Sequence, residues 1–383
     1  MTAQPTRPIP AADLGYNPVL DGLRALAVTA VIAEHAGFGG QGFHGVTVFF
    51  VISGYLITSL LIRECDRTGT VLLRRFYWRR FIRLGPALLL AVLATVLFLV
   101  VTGRPVEQYW AGPVGALTYS MDLVQAVLGN SAVGIHFQWS WSLGIEEQFY
   151  LLWPFGLLLL WRGRRHLIAP LLLALVAGAW VLRAAQNAVG STHESVFFGP
   201  LSHYDALVLG VLIAVFRAQY TIGRIGRIVF AVVGAIGAAG LVLLEFHRLA
   251  IPGAAVVDPD GFGQAAVFSS AVVLWASVGG RGLAARLLGS PPLAFLGKLS
   301  YGLYLWNMLT VQVFIGLTGH RPAEIHKGVL WAVALLAVCV LSYLFVEQPL
   351  RRRWASPAFL ETRPRTEPAK RPAIDIAQRA EAT

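Results

Sequence analysis

Ten stretches of about twenty mostly apolar residues, the length needed to cross the hydrocarbon core of a bilayer, follow one another along this chain with short charged segments between them. They fall at roughly 17–37, 43–62, 81–102, 140–161, 167–183, 200–217, 226–246, 262–280, 294–317 and 328–347. Of the 383 residues, 56% are hydrophobic and 13% are charged, whereas a soluble globular domain carries about 25% charged residues. That balance excludes a disordered chain, a collagen, a coiled coil and an ordinary soluble enzyme. It predicts an all-α fold, a polytopic transmembrane helical bundle of about ten spans.

The net charge of +11 is not read as a nucleic-acid footprint, because the basic residues sit between apolar runs. Arg and Lys collect in cytoplasmic loops of membrane proteins, so their distribution orients the bundle. A weaker stretch at 112–129 contains Asp122 and Gln125. If it does not cross, the clusters at Arg63 to Arg83, Arg162 to Arg165, Arg217 to Arg227, Arg281 to Arg286 and Arg351 to Arg353 all fall in the cytoplasm. If it crosses, every cluster from Arg162 onward moves outside. The first arrangement is expected: a multi-pass plasma-membrane protein with both termini cytoplasmic and a re-entrant or interfacial segment at 103–139. Residues 1–15 read as a cytoplasmic tail, 16–347 as the membrane domain and 348–383 as a basic, Pro-rich, disordered tail. The two cysteines, Cys65 and Cys339, lie in a basic loop and an apolar run and predict no disulfide framework. The first apolar stretch carries Arg24, Glu34 and His35, unlike a cleavable leader.

Those charges are the first chemical signal, since ionisable groups inside a membrane are costly and face interior cavities. Arg24 and His35 are eleven residues apart, which on a helix is three turns plus about 20°, on one face and about 16 Å apart. An imidazole near that depth suits a general base; spacing alone equally allows a histidine at a helix end and an arginine anchor. The second stretch contains Ser53-Gly54, for which close helix packing is a better reading than a nucleophile. The run Arg74-Arg75-Phe-Tyr-Trp-Arg79-Arg80-Phe-Ile-Arg83 suits lipid anchoring or a phosphate site, with Arg80 and Arg83 on one helix face. Trp141-Ser-Leu-Gly-Ile-Glu146-Glu147-Gln-Phe-Tyr150 brings two adjacent carboxylates to the start of a span, one of which is expected to point inward and to support His35. His44, just past the first span, is assigned to the loop surface. The glycines Gly37, Gly39 and Gly42 match a dinucleotide fingerprint but follow no strand, and the histidines and cysteines show no zinc spacing.

Taken in order, these segments resemble the acyltransferase-3 family of integral membrane O-acylases over roughly residues 16–347. The first-span Arg–His pattern falls on Arg24 and His35, the Arg-x-x-Arg element on Arg80 and Arg83, the Trp-Ser-Leu block on Trp141 to Tyr150, and the Ser-Tyr-x-Leu-Tyr-Leu-Trp block on Ser300 to Trp306. One departure is Asn307, where many members carry His. Some members also carry an extracytoplasmic hydrolase-like domain, for which too few residues follow here.

The resemblance implies a membrane O-acyltransferase moving an acyl group, acetyl by default, from acyl-CoA to a hydroxyl of a cell-surface carbohydrate or a small-molecule acceptor. It implies His35 as base, with Arg24, Glu146 and Glu147 in the catalytic set. Arg80 and Arg83 would hold the CoA phosphates; no metal and no nucleic acid are expected. A transporter or flippase for a lipid-linked or glycan substrate is the alternative, disfavoured because no internal repeat is visible.

Overall fold

A computed structural model describes residues 16–105, 109–161, 163–246 and 261–354, and among these every regular element is a helix. The tail expected at 1–15 and the stretch beyond Ser356 lie outside the described residues. In chain order the helices are α1 (Pro18–Ala36), α2 (Phe43–Thr68), α3 (Leu73–Val101), α4 (Ala111–Leu117), α5 (Met121–Leu128), α6 (Trp141–Trp161), α7 (Arg165–Ala188), α8 (His193–Phe197), α9 (Tyr204–Gln219), α10 (Arg224–Glu245), α11 (Phe262–Ser277), α12 (Leu283–Leu288), α13 (Pro291–Thr318), α14 (Gly328–Ser342) and α15 (Gln348–Trp354).

Each of the ten apolar stretches coincides with one of these helices. Six segments are long and apolar enough to cross a membrane: α2, α3, α6 with its preceding turn, α7, α10, and α14 continued through α15. Among the described residues, length and composition single out these six of the ten expected spans. The other four have a physical reason to fall short. Helices α9 and α11 have 16 residues each, α1 carries Asp21, Arg24 and Glu34, and α13 buries Ser300, Asn307 and Gln312. They are inner elements. Helix α1 packs along α13 and α2, α2 along α9, and α11 against α10, α2 and α9. Helices shielded by others can carry polar side chains that a lipid-facing helix cannot.

The Ser53-Gly54 pair divides its work. Gly54 is packing: a methyl group there would collide with the Leu207 carbonyl of α9, and one at Gly210 would collide with the Val51 carbonyl of α2. The two backbones meet where neither helix has a side chain.

Between α3 and α6 the chain does not cross. Helices α4 and α5 have 7 and 8 residues, roughly 10–12 Å of helix. They are pinned to the bundle by buried polar groups. Gln148 Nε2 donates to both oxygens of the fully buried Asp122, at 2.9 and 3.0 Å. Arg104 Nη1 lies 2.7 Å from His136 Nε2; burial and the adjacent guanidinium hold that imidazole down at about 4.

At the other end, α14 runs through a π-helical turn at Tyr343–Glu347 into α15. Residues 348 to 354, expected within a disordered tail, are helical, and Trp78 Nε1 donates to the Trp354 carbonyl at 2.8 Å, tying them to α3.

Candidate functional site

Helix α1 positions the first polar residues. Asn17 caps it by accepting the Val19 N–H at 3.0 Å, Pro18 opens it with its φ preset, and Gly37 closes it at φ +93°. The helix is unbroken between Arg24 and His35, so the two side chains serve different levels of the bundle, about 16 Å apart.

At the C-terminal level, half-buried His35 meets α13. Its Nδ1 lies 2.5 Å from Oδ1 of Asn307, which is fully buried. The Asn307 Nδ2 donates to the Tyr304 carbonyl at 2.6 Å. The carboxylate expected to support His35 is not there: Asn307 holds the imidazole instead, because Glu146 and Glu147 lie at the level of Arg24.

At the level of Arg24, a cavity of about 60 Å³ is lined by polar Arg24, Ser53, Ser142, Glu146, Ser300 and Tyr304 together with apolar residues such as Phe49 and Phe50. Ser53 Oγ donates to Glu146 Oε1 at 2.8 Å, so the hydroxyl of the Ser-Gly pair serves the carboxylate while the glycine serves packing. Ser142 Oγ and Tyr304 Oη are 2.6 Å apart. Arg24 Nε and the Ser300 hydroxyl are buried without a hydrogen-bond partner. Four helices, α1, α2, α6 and α13, thus converge polar side chains on this small cavity.

The adjacent carboxylates diverge, as neighbouring helix positions must. Glu146 faces the cavity, whereas Glu147 faces α3, where Arg80 Nε donates to both its oxygens at 2.8 and 2.9 Å and the guanidinium stacks 3.3 Å from the Tyr150 ring centroid. The fork of Arg80, expected to grip a phosphate, is engaged by Glu147 in this structure. Arg83, one turn on, is exposed and has Arg24, Arg80 and Arg351 as its positively charged neighbours. Arg83 and Arg351 lie near enough for their charges to interact; the part of Arg351, in a segment read as tail, had no signal in the sequence beyond its own charge.

His44 is also corrected. It lies in the first turn of α2, only 3% exposed, with Nδ1 3.4 Å from Glu245 Oε2 of α10; Phe43, one residue before it, anchors an aromatic cluster with Phe197 and Phe262.

The chain matches a family model described as an acyltransferase domain over residues 17–347. It is 28% identical over 359 residues to the peptidoglycan O-acetyltransferase OatA of Listeria monocytogenes, covering 88% of this chain and 56% of that protein. It is 32% identical over 351 residues to the O-acetyltransferase OatA of Staphylococcus aureus, covering 88% and 58%. The chain therefore spans somewhat over half the length of these curated relatives. No solved structure matches it.

Proposed function

Because the chain belongs to the acyltransferase family matched over residues 17–347, we propose that it is a multi-pass membrane O-acetyltransferase that uses acyl-CoA, acetyl-CoA first, and modifies a hydroxyl of a cell-envelope carbohydrate. The observation that carries this reading is the His35–Asn307 contact: a base-competent imidazole set on an inner helix of a membrane bundle, in an acyltransferase whose relatives are named O-acetyltransferases.

The arrangement runs along α1. In this reading the inner helices α1, α9, α11 and α13 cross together with the six long apolar ones, both termini lie in the cytoplasm, and the exposed Arg83 and Arg351 face that side, where they hold the donor phosphates through charge-assisted hydrogen bonds. The polar cavity at Arg24, Ser53 and Glu146 lies between that surface and His35. The acyl-bearing arm of the donor extends past it to His35, and the nucleotide stays outside. At the opposite end, His35 Nε2 takes the proton of the acceptor hydroxyl as the acceptor oxygen bonds to the acyl carbonyl carbon. The carbon–sulfur bond breaks, and the proton passes to the departing thiolate.

The test is direct. Purified protein in liposomes, given radiolabelled acetyl-CoA and soluble glycan fragments, is expected to release CoA and label the glycan as an alkali-labile ester. Absence of thioester cleavage, with movement of the glycan across the membrane instead, would replace the acyltransferase reading with that of a transporter. Arg83→Ala should raise the donor KM by about one to two decades, the loss of one hydrogen bond to a charged group of roughly 1.5–3 kcal/mol.

A further inference from the structure

The position after Leu305-Trp306 is an asparagine, and its hydrogen bonds settle the protonation of the histidine it touches. The Asn307 amide is oriented by its own partners. Its Nδ2 donates to the Tyr304 carbonyl, which can only accept, so the oxygen is the end that faces His35. That oxygen has no proton to give. The proton in the 2.5 Å contact must therefore sit on His35 Nδ1. In neutral imidazole one nitrogen donates and the other accepts, so Nε2 is left with its lone pair.

Asn307 is held on both sides. Its own carbonyl accepts from Thr310 Oγ1 at 2.9 Å, and Thr310 Oγ1 in turn accepts from Trp331 Nε1 of α14 at 3.3 Å. On the other side Tyr304 donates its hydroxyl to the Trp139 carbonyl at 2.6 Å. The amide cannot rotate without breaking its bond to the Tyr304 carbonyl.

We propose that Asn307 is a positioning residue that fixes His35 in the Nδ1–H tautomer and presents Nε2 as the sole basic edge toward the acceptor hydroxyl. This rests on the reading of His35 as the base. The second-ring nitrogen is set by the bond the first one makes. A carboxylate at this place would also stabilise the imidazolium; a neutral amide orients without that charge, so His35 stays unprotonated, and active, to lower pH. Among the described residues, the titratable groups around this end of α1 are Glu34 on α1 itself, His44 on α2, Glu245 on α10 and Arg321 beyond α13, and Glu245 is already engaged by His44 and by the Gln41 N–H at 3.1 Å. The side chain bonded to the imidazole is Asn307.

The experiment compares Asn307→Asp, Asn307→Leu and His35→Gln in nanodiscs, with acetyl-CoA turnover measured from pH 5 to 9 and folding checked by monodispersity. A base works only when neutral, so activity falls as pH drops through its pKa. An opposite charge within about 4–6 Å raises the pKa of a histidine by roughly one to three units. Asn307→Asp should move the acid limb upward by that amount with the donor KM unchanged. Asn307→Leu should lower kcat about five- to a hundredfold, again without a change in KM, through the lost bond and the misaligned ring. An acid limb in the Asp variant that coincides with wild type, or wild-type kcat in the Leu variant, overturns the proposal. Should His35→Gln itself turn over normally, it is the assignment of the base that fails. A dead His35→Gln alongside unaltered Asn307 variants rejects the positioning role alone. If Asn307→Leu does not fold, the pH limb of Asn307→Asp decides.

Discussion

Arg80 and Glu147 form a closed ion pair between α3 and α6: the guanidinium donates Nε to both carboxylate oxygens and lies 2.7 Å from Oε1 through Nη2, with the two side chains 13% and 20% exposed. A pair so enclosed is weak evidence of net stabilisation, yet removing one partner is costly because the other charge is left buried. Arg80→Ala should therefore destabilise the protein by roughly 3–5 kcal/mol, read as a large fall in thermal midpoint in detergent. Arg80→Lys should rescue only in part, since an ammonium cannot reproduce the fork or the stacking on Tyr150. The Arg80→Ala, Glu147→Ala double variant should recover part of the loss. An Arg80→Ala protein as stable as wild type, with a raised donor KM, would return Arg80 to the phosphate-binding role.

The packing of α2 on α9 makes a second prediction. A methyl group at Gly54 meets the Leu207 carbonyl, which is backbone and cannot swing away. Gly54→Ala should cost roughly 1–3 kcal/mol, as overpacking does, and reduce the yield of folded protein. Gly178, inside α7, has nothing within 4 Å of the added atom. There, Gly→Ala should be neutral or stabilising by about 0.4–1 kcal/mol. Equal midpoints for the two variants would mean that the helices do not approach as described.

Much of this was legible in the sequence, and the division is physical. Helix positions follow from runs of apolar residues, so a helix was placed at each of the ten, although α3 begins at Leu73 rather than 81 and α2 runs on to Thr68, and the helical register put Arg24 and His35 on one face. Which residues meet across helices is a tertiary fact. Glu146 finds Ser53 at a separation of 93 residues, and His35 finds Asn307 at 272. No local pattern carries such pairings, so Glu146 was expected beside His35 and Arg80 beside a phosphate. His44 was misplaced for a related reason. A histidine between glycines reads as a turn, but α2 begins at Phe43 and buries its first turn against α10 and α11. Asn307 drew notice as a departure from the family pattern, though its partner was not visible.

Asp122 makes the excursion between α3 and α6 sensitive to pH. Burial pushes its carboxyl up to about 6, only partly opposed by hydrogen bonds from Gln148. A group whose pKa is raised on folding contributes stability below its unfolded pKa and loses it as pH rises through the folded value. The contribution of Asp122 should thus be present near pH 4 and gone above about pH 6. Asp122→Asn keeps an oxygen for Gln148 without the charge. Its midpoint should exceed that of wild type at pH 7.5, by a few degrees, with the difference shrinking toward pH 4.5. A variant that tracks wild type at both pH values would show that the carboxyl is not desolvated.

The two histidines at the end of α1 and the start of α2 separate chemistry from architecture. As the proposed base, His35 would present Nε2, and general-base help is worth about two to four decades in rate. His35→Gln keeps a hydrogen-bonding side chain of similar reach but cannot carry the proton, so turnover should fall by that amount while the thermal midpoint stays close to wild type. His44 is the reverse case. It is buried, and its bond to Glu245 holds α10 against α2. His44→Ala leaves a cavity and removes one of the two hydrogen-bond partners of the Glu245 carboxylate, at a cost of roughly 1–3 kcal/mol. It should lower the midpoint and the yield, while the kcat of the folded fraction remains within a few-fold of wild type. Active-site titration with a trapped labelled acyl donor, paired with thermal unfolding, distinguishes the two effects. If His44→Ala abolished turnover in well-folded protein while His35→Gln kept it, the base would be the His44 imidazole backed by Glu245, and the acceptor would have to approach between α2 and α10 instead of over α1 and α13.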